Sequence, residues 1–249
     1  MYKHILLDMD GVVLHDNQLI EGADEFLVRI MEKEIDFRFI TNYPSQTASD
    51  LHNRLASAGI DIPVKHFFNS AMATAAFLKN QEGRKAYVIG EGALTHELYN
   101  IGFTITDIDP DLVVVGETKS YNWQMIQKAA SFIKNGARFI ATNPDVAGPG
   151  GSPACGALCA PIERISGKLP FYVGKPNSFM LRAALNSMNA HTENTVIIGD
   201  NMSTDILAGV QSGMETVLVL TGFSTMKDID KYPFRPNYIF DRLKDVNLF

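Results

Sequence analysis

The chain has 249 residues, of which 46% are hydrophobic and 20% are charged, a composition typical of a globular protein with a substantial core. Its 22 basic and 28 acidic residues give a net charge of −6, which is unfavourable for binding a phosphate polymer and excludes nucleic acid as an expected partner. We find no run approaching about 20 apolar residues and no pattern of a secretory signal, so we expect no membrane span and a cytoplasmic location.

The two cysteines, Cys155 and Cys159, are four residues apart and would lie on one face of a predicted helix. A metal site would need further cysteine or histidine residues nearby, and the closest histidine is distant in the sequence. We therefore expect two buried, reduced thiols, which fits a cytoplasmic protein.

Short apolar runs alternate with segments of helical periodicity along the chain. This alternation predicts an α/β fold, in which a parallel sheet is covered by helices on both faces. The predicted strands are 5–7, 37–40, 86–89, 112–115, 139–141, 195–198 and 216–220, and the predicted helices are 23–33, 45–58, 71–80, 122–135, 154–166 and 204–212.

Two polar segments, 80–83 and 166–168, interrupt this pattern and are interpreted as linkers. They predict a doubly wound core formed by residues 1–83 and 169–249. The residues between them, 84–168, are predicted to form an inserted second α/β domain.

Reactive side chains follow four of the apolar runs. In an open parallel sheet, ligands bind at the carboxyl ends of the strands, so these side chains would meet in one crevice if the four strands lie side by side. In chain order they are Asp8 and Asp10, Thr41 and Asn42, Lys175, and Asp200 with Asp205.

Each of these groups also has an ordinary structural interpretation. Asp10-Gly11 is a hairpin-turn signal, Thr41-Asn42 and Asp200 suit helix caps, and Lys175 suits a solvated loop. Their coincidence at strand ends favours a shared site instead. Carboxylates brought together need a cation, and oxygen ligands favour Mg²⁺. A lysine and a hydroxyl beside Mg²⁺ would bind a phosphoryl group.

The combination of these segments resembles the four motifs of the haloacid dehalogenase-like (HAD) phosphohydrolases. The matching residues are Asp8-Met9-Asp10-Gly11-Val12, Thr41-Asn42, Lys175, and Gly199-Asp200 with Asp205. Longer stretches extend the resemblance to the NagD family, from residue 3 to about 235: TNYPSQT, VGEGAL, GARFIATNPD, PACGALCAPIE, VGKP and GDN-x-x-TDILAG.

The resemblance implies a HAD fold, Mg²⁺ as cofactor and a role for each motif residue. Asp8 would be the nucleophile and a metal ligand, and Asp10 the general acid/base that also ligates the metal through its backbone carbonyl. Lys175 would bridge nucleophile and phosphate. Further implied roles are phosphoryl binding by Thr41 and Asn42, and metal binding by Asp200, with Asp205 orienting it or reaching the metal through water.

The resemblance also identifies the inserted domain as a cap over the catalytic crevice. Within it, the segment 142–145, which includes Asn143 and Asp145, and the loop 150–155 would face the substrate. An acid at position 10 favours phosphoester hydrolysis over carbon–halogen cleavage, because dehalogenases of this superfamily lack it.

The expected activity is Mg²⁺-dependent hydrolysis of nucleoside 5′-monophosphates (UMP, GMP, AMP and CMP) through an aspartyl-phosphate. An alternative is another small phosphomonoester, such as pyridoxal phosphate, phosphoglycolate or a sugar phosphate. A receiver-type signalling domain shares the phospho-accepting aspartate, but it would lack the inserted domain and the second acid. A dinucleotide-binding dehydrogenase is disfavoured because G-x-G-x-x-G does not follow the first strand. The sequence makes no prediction of oligomeric state.

Overall fold

The fold was analysed in a computed structural model that describes residues 2–249. It divides into two compact units. The first unit contains the described residues up to Thr41, together with Ala48–Phe68 and Lys175–Phe249. The second unit contains Asn42–Thr47 and Asn69–Gly174.

The strands and helices alternate along the chain, as predicted. The strands are β1 (His4–Leu7), β2 (Leu14–His15), β3 (Gln18–Leu19), β4 (Asp36–Thr41), β5 (Phe67–Asn69), β6 (Lys85–Ile89), β7 (Thr104–Ile105), β8 (Leu112–Val115), β9 (Arg138–Ala141), β10 (Phe171–Tyr172), β11 (Thr195–Gly199), β12 (Glu215–Val219) and β13 (Tyr238–Phe240). The helices are α1 (Ala23–Glu32), α2 (Ala48–Ser57), α3 (Ser70–Leu78), α4 (Gly92–Asn100), α5 (Trp123–Lys134), α6 (Cys155–Ser166), α7 (Ser178–Ser187), α8 (Leu207–Ser212) and α9 (Met226–Ile229).

The larger sheet has the strand order β13-β12-β11-β1-β4-β5. Strand β1 lies in its interior and pairs in parallel with β11 and β4, with Leu7 opposite Ile198 on one side and Phe39 on the other. Every residue from Ile5 to Leu7 is fully buried, as expected for a parallel strand covered on both faces. This packing fixes the carboxyl end of β1, from which Asp8 follows.

The second unit has a five-stranded sheet of its own, in the order β10-β9-β8-β6-β7. Each neighbouring pair of strands in this sheet is parallel. Its hydrophobic core joins strand residues such as Val113 and Val115 to α5 and α6, and it includes Cys155 and Cys159. Both cysteines are free and buried, so the prediction of buried, reduced thiols is confirmed.

The two parallel sheets confirm the predicted α/β fold class. Of the four motif-bearing strands, β11, β1 and β4 lie side by side in the larger sheet, and the fourth does not. Strand β10, which precedes Lys175, pairs with β9 in the second sheet. The predicted helix 204–212 also differs, because it begins as a π-helical turn, Met202–Ile206, and becomes α-helical only at Leu207.

The two compact units also differ from the predicted domain boundaries. Residues 69–83, which include α3, pack with the second unit, and so do residues 42–47. The prediction placed the boundary at residue 84 because the polar segment 80–83 was interpreted as the linker. The assignment of catalytic core and cap to these units remains a prediction. Within the described residues, we find no helix long and apolar enough to cross a membrane.

Candidate active site

Three carboxylates converge at the carboxyl end of the larger sheet. Asp8 follows β1, and its backbone N–H donates to Ile198 O at 2.9 Å, which extends the pairing with β11. Asp200 follows β11 directly, and Asp205 lies in the π-helical turn. One carboxylate oxygen from each lies within 4.8 Å of the others, and all three side chains are buried. The structure therefore brings Asp8, Asp200 and Asp205 together, while their chemical roles remain predictions.

Lys175 neutralises part of this negative charge. Its Nζ lies 2.8 Å from Asp8 Oδ1 and 2.7 Å from Asp205 Oδ1, and it donates to Ile40 O at 3.2 Å. Burial favours the neutral amine, but the charges of Asp205 and Asp8 outweigh it and raise the Lys175 pKa. The lysine therefore stays protonated and links three segments of the first unit.

The π-helical turn explains how both Asp200 and Asp205 face one site. Its wide spacing lets Asn201 O accept from the backbone N–H of Asp205 at 3.0 Å and of Ile206 at 3.2 Å. The Asp205 carboxylate folds back toward β11, where Oδ2 accepts from the Asn201 N–H at 3.3 Å. The Asp200 carboxylate is fixed from the other side by the Phe223 N–H, at 2.6 Å from Oδ2.

The electrostatics of the acid cluster favour a bound cation. Burial, together with the neighbouring Asp205, raises the pKa of Asp200 to about 7. Burial also raises the Asp8 pKa, against the opposing charge of Lys175. One ammonium cannot balance three buried carboxylates, and a hard divalent ion would relieve their repulsion. The oxygen donor set therefore fits a divalent metal of the Mg²⁺ type.

Two glycines let the backbone approach this cluster closely. A β-carbon at Gly222 would lie 1.9 Å from Asp200 Oδ2, and one at Gly199 would lie 2.2 Å from the β-carbon of Asp205. Any larger residue at either position must displace a buried carboxylate. The positions of Asp200 and Asp205 thus depend on the absence of side chains beside them.

Asp10 has a different environment from the three clustered acids. Its carboxylate is paired with Arg54 of α2, with Nη2 at 2.5 Å from Oδ1 and Nη1 at 3.2 Å from Oδ2. Arg54 Nε also donates to Asn17 Oδ1 at 2.6 Å. Sequence analysis identified Asp10 but neither Arg54 nor Asn17, since an arginine on a helix and an asparagine in a turn give no distinctive signal.

Thr41 ends β4, the strand beside β1, and is buried. Thr41, which carries a hydroxyl group, therefore lies at the same edge of the sheet as Asp8, as the strand-end pattern predicted. The next residue, Asn42, belongs to the second unit.

In the second unit, Asp145 is a hydrogen-bond acceptor for two amides. Its Oδ2 accepts from Asn42 Nδ2 and from Asn143 Nδ2, both at 2.8 Å. Thr142 Oγ1 in turn donates to Asn143 Oδ1 at 2.7 Å. Three of the predicted substrate-binding residues, Asn42, Asn143 and Asp145, therefore form one hydrogen-bonded group.

Glu117, which follows β8, is a member of this group that sequence analysis missed. The Asn143 side chain and the backbone N–H of Cys155, at the start of α6, favour the ionised form of its carboxylate. Burial raises the pKa of Glu117 to about 7, and the charge of Asp145 acts in the same direction. Its place after an apolar strand resembles that of Asp8 and Asp200 and was the available signal.

Two family models match separate parts of the chain. A haloacid dehalogenase-like hydrolase model matches residues 5–104, and a HAD-hydrolase-like model matches residues 172–246. Ribonucleotide monophosphatase NagD of Escherichia coli (strain K12) is 61% identical over 246 residues, which are 99% of this chain and 98% of that protein. The chain belongs to the haloacid dehalogenase-like hydrolases.

A second relative and a solved structure agree with this membership. Dihydroxyacetone phosphatase of Corynebacterium glutamicum (strain R) is 46% identical over 246 residues, 97% of this chain and 89% of that protein. The structure of NagD from E. coli K-12 superposes with a TM-score of 0.97 at 60% identity, covering 100% of this chain and 99% of that one. The predictions of a HAD fold, a hydrolase and a member of the NagD family are confirmed.

Proposed function

We propose that this hydrolase is a Mg²⁺-dependent phosphatase that hydrolyses nucleoside 5′-monophosphates through a phosphorylated Asp8. The observation that carries the proposal is the buried cluster of Asp8, Asp200 and Asp205, in which Asp8 is ion-paired with Lys175. Carboxylates and one ammonium at the end of a parallel strand suit phosphoryl transfer, which depends on positioning and charge neutralisation.

The proposed reaction begins with Asp8. Its carboxylate oxygen attacks the substrate phosphorus, and the bond between phosphorus and the sugar oxygen breaks while Asp10 gives a proton to the departing oxygen. Water then attacks the phosphorus of the aspartyl-phosphate, and Asp10 takes a proton from it. Phosphate leaves, and the Asp8 carboxylate is restored.

The other motif residues would bind the phosphoryl group and the metal ion and orient them toward Asp8. Lys175, held 2.8 Å from Asp8 Oδ1, would neutralise charge on the phosphoryl oxygens, and Thr41 and Asn42 would donate hydrogen bonds to them. Asp8, Asp200 and the backbone carbonyl of Asp10 would hold Mg²⁺, with Asp205 beside them. When bound, the ion supplies positive charge that draws the nucleophile and the phosphoryl group together.

The choice of nucleotides rests on similarity to NagD, named a ribonucleotide monophosphatase and 61% identical to this chain. A second candidate is dihydroxyacetone phosphate, because a relative at 46% identity is named for that substrate. The assignment of Asn143 and Asp145 as substrate-binding residues remains a prediction. A cytoplasmic location remains a prediction.

Phosphate release tests this proposal. We expect turnover of UMP, GMP, AMP and CMP that requires Mg²⁺, stops in excess EDTA, and exceeds turnover of dihydroxyacetone phosphate, pyridoxal phosphate and phosphoglycolate in kcat/KM. Asp8→Asn should abolish it, whereas Asp24→Asn, on the exposed face of α1, should not. Turnover that survives Asp8→Asn or EDTA would overturn the mechanism, and a stable aspartyl-phosphate without turnover would indicate a receiver-type domain.

A further inference from the structure

We propose that Arg54, supported by Asn17, is the residue that positions the Asp10 carboxyl group for proton exchange with the leaving oxygen. This inference rests on the proposed function, in which Asp10 is the general acid/base. Arg54 would touch neither substrate nor metal, so it is a positioning residue that acts through Asp10.

The contact has the fork geometry of arginine and carboxylate. Arg54 Nη2 lies 2.5 Å from Asp10 Oδ1, and Nη1 lies 3.2 Å from Oδ2. Two N–H groups on one rigid plane fix both the position and the rotation of a carboxylate, which a single lysine ammonium cannot do. The pair therefore determines which way the Asp10 oxygens face.

The two oxygens of the Asp10 carboxylate are held at different distances from Arg54. Oδ1 is held by the shorter bond, and Oδ2 by the longer one. The Asp10 side chain is 41% exposed, while that of Arg54 is 15% exposed. A largely enclosed arginine thus holds a carboxylate whose side chain is itself exposed.

Arg54 is itself fixed by a contact from a third segment. Its Nε donates to Asn17 Oδ1 at 2.6 Å. Asn17 lies in the two-residue turn between β2 and β3, where Asp16 and Asn17 have φ angles of 47° and 69°. Such a turn reverses the chain tightly and presents the Asn17 side chain toward α2. Asp10, the hairpin and α2 are linked through one guanidinium group.

A positioning role for Arg54 predicts that the effect of its loss depends on the leaving group, whereas a purely structural role does not. A nucleoside alkoxide is a poor leaving group and needs a proton as its bond to phosphorus breaks, whereas 4-nitrophenolate is stable without one. Misplacing the Asp10 carboxyl should therefore slow the release of a nucleoside much more than the release of 4-nitrophenol. Damage to the fold or to the metal site would slow both.

The experiment compares kcat/KM for UMP and for 4-nitrophenyl phosphate in wild type, Arg54→Met and Arg54→Lys, with saturating Mg²⁺. Since both substrates are measured on one preparation, the ratio of the two constants does not depend on the fraction that is folded. Arg182→Met, which removes an exposed arginine from α7, is the matched control for loss of one positive charge.

We expect Arg54→Met to shift the ratio toward 4-nitrophenyl phosphate by about tenfold or more, which is part of the roughly 10²–10⁴-fold that general acid catalysis contributes. Arg54→Lys should recover part of the shift, and Arg182→Met should show none. An unchanged ratio, including equal loss of both activities, would overturn the inference while leaving the proposed function intact.

The behaviour of the wild-type enzyme separates the two proposals. If it hydrolyses dihydroxyacetone phosphate but not UMP, the nucleotide assignment fails, and the same ratio is measured with dihydroxyacetone phosphate as the alkyl ester. If wild type hydrolyses none of these esters, the proposed function and this inference both fail.

Discussion

Lys175 and Asp205 form an ion pair that is almost completely removed from water. Their Nζ and Oδ1 atoms lie 2.7 Å apart, and the two side chains are 3% and 0% exposed. Because the same ammonium also pairs with Asp8, it stabilises two buried carboxylates at once. The same lysine therefore balances charge in the proposed active site and contributes to the stability of the first unit.

Lys175→Met should destabilise the metal-free protein by about 3–5 kcal/mol, since it leaves two buried carboxylates without the cation that pairs with them. Urea denaturation in EDTA measures this change. Lys231→Met is the control, because Lys231 pairs with Asp228 on the surface with its side chain 70% exposed, and it should have no measurable effect. Equal stability of the two variants would contradict the energetic role of the buried pair.

Mg²⁺ affinity should fall as the pH falls below about 7. The pKa of Asp200 is raised to about 7, so at lower pH a proton must leave before the carboxylate can bind a metal. The apparent dissociation constant should then rise by up to about tenfold per pH unit. Titration of the metal-free protein by calorimetry at pH 6 and pH 8 measures this effect, and equal affinities would contradict it.

Gly199→Ala should weaken Mg²⁺ binding, because its new β-carbon would lie 2.2 Å from the β-carbon of Asp205 and force that residue to move. Gly92→Ala is a matched control at the first residue of α4, where a β-carbon would meet nothing within 4 Å. The metal-induced rise in melting temperature is the readout. A normal rise in Gly199→Ala would show that the cluster tolerates the displacement.

Asn17→Gly should reproduce the Arg54→Met effect in weaker form, since it removes the acceptor that holds Arg54 Nε. Glycine adopts the left-handed backbone of this turn without strain. Asp16→Gly, at the neighbouring left-handed position, changes the turn equally but leaves the Arg54 contact in place. The ratio of the two specificity constants should shift in Asn17→Gly alone, and an equal shift in both variants would assign the effect to the turn.

Glu117→Gln should remove part of the pH dependence of stability. The carboxyl pKa is raised from 4.5 to about 7 in the folded chain, so the protonated acid favours folding and this contribution is lost as the pH rises from about 4.5 to about 7. The amide that replaces the carboxyl group does not titrate. The stability of the variant relative to wild type, from urea denaturation, should therefore increase between pH 5 and pH 8.

The fold class and the acid cluster were predictable because their signals are local. Apolar runs and helical periodicity mark the elements, and Asp8 and Asp200 stand directly after buried strands. Lys175 was identified by its motif, although the strand before it belongs to the other sheet. Its contact with Asp8 depends on where the chain goes after that strand, which periodicity does not report.

The contacts that sequence analysis missed are non-local and involve ordinary residue types. Arg54 on a helix resembles any surface arginine, and its partner Asp10 is 44 residues away. The π-helical turn at Asp205 was predicted as regular helix because both have helical periodicity. The second compact unit begins earlier than the predicted linker because α3 is part of that unit and no polar segment precedes it at residue 69.

The division of the chain has a consequence for engineering. Residues 42–47 belong with 69–174, so the backbone crosses between the units after residues 41, 47, 68 and 174. A chimaera that exchanges only 69–174 with a relative would keep the native Asn42 while replacing its acceptor, Asp145. Donor and acceptor should be exchanged together. A chimaera should therefore replace both segments of the second unit, 42–47 and 69–174.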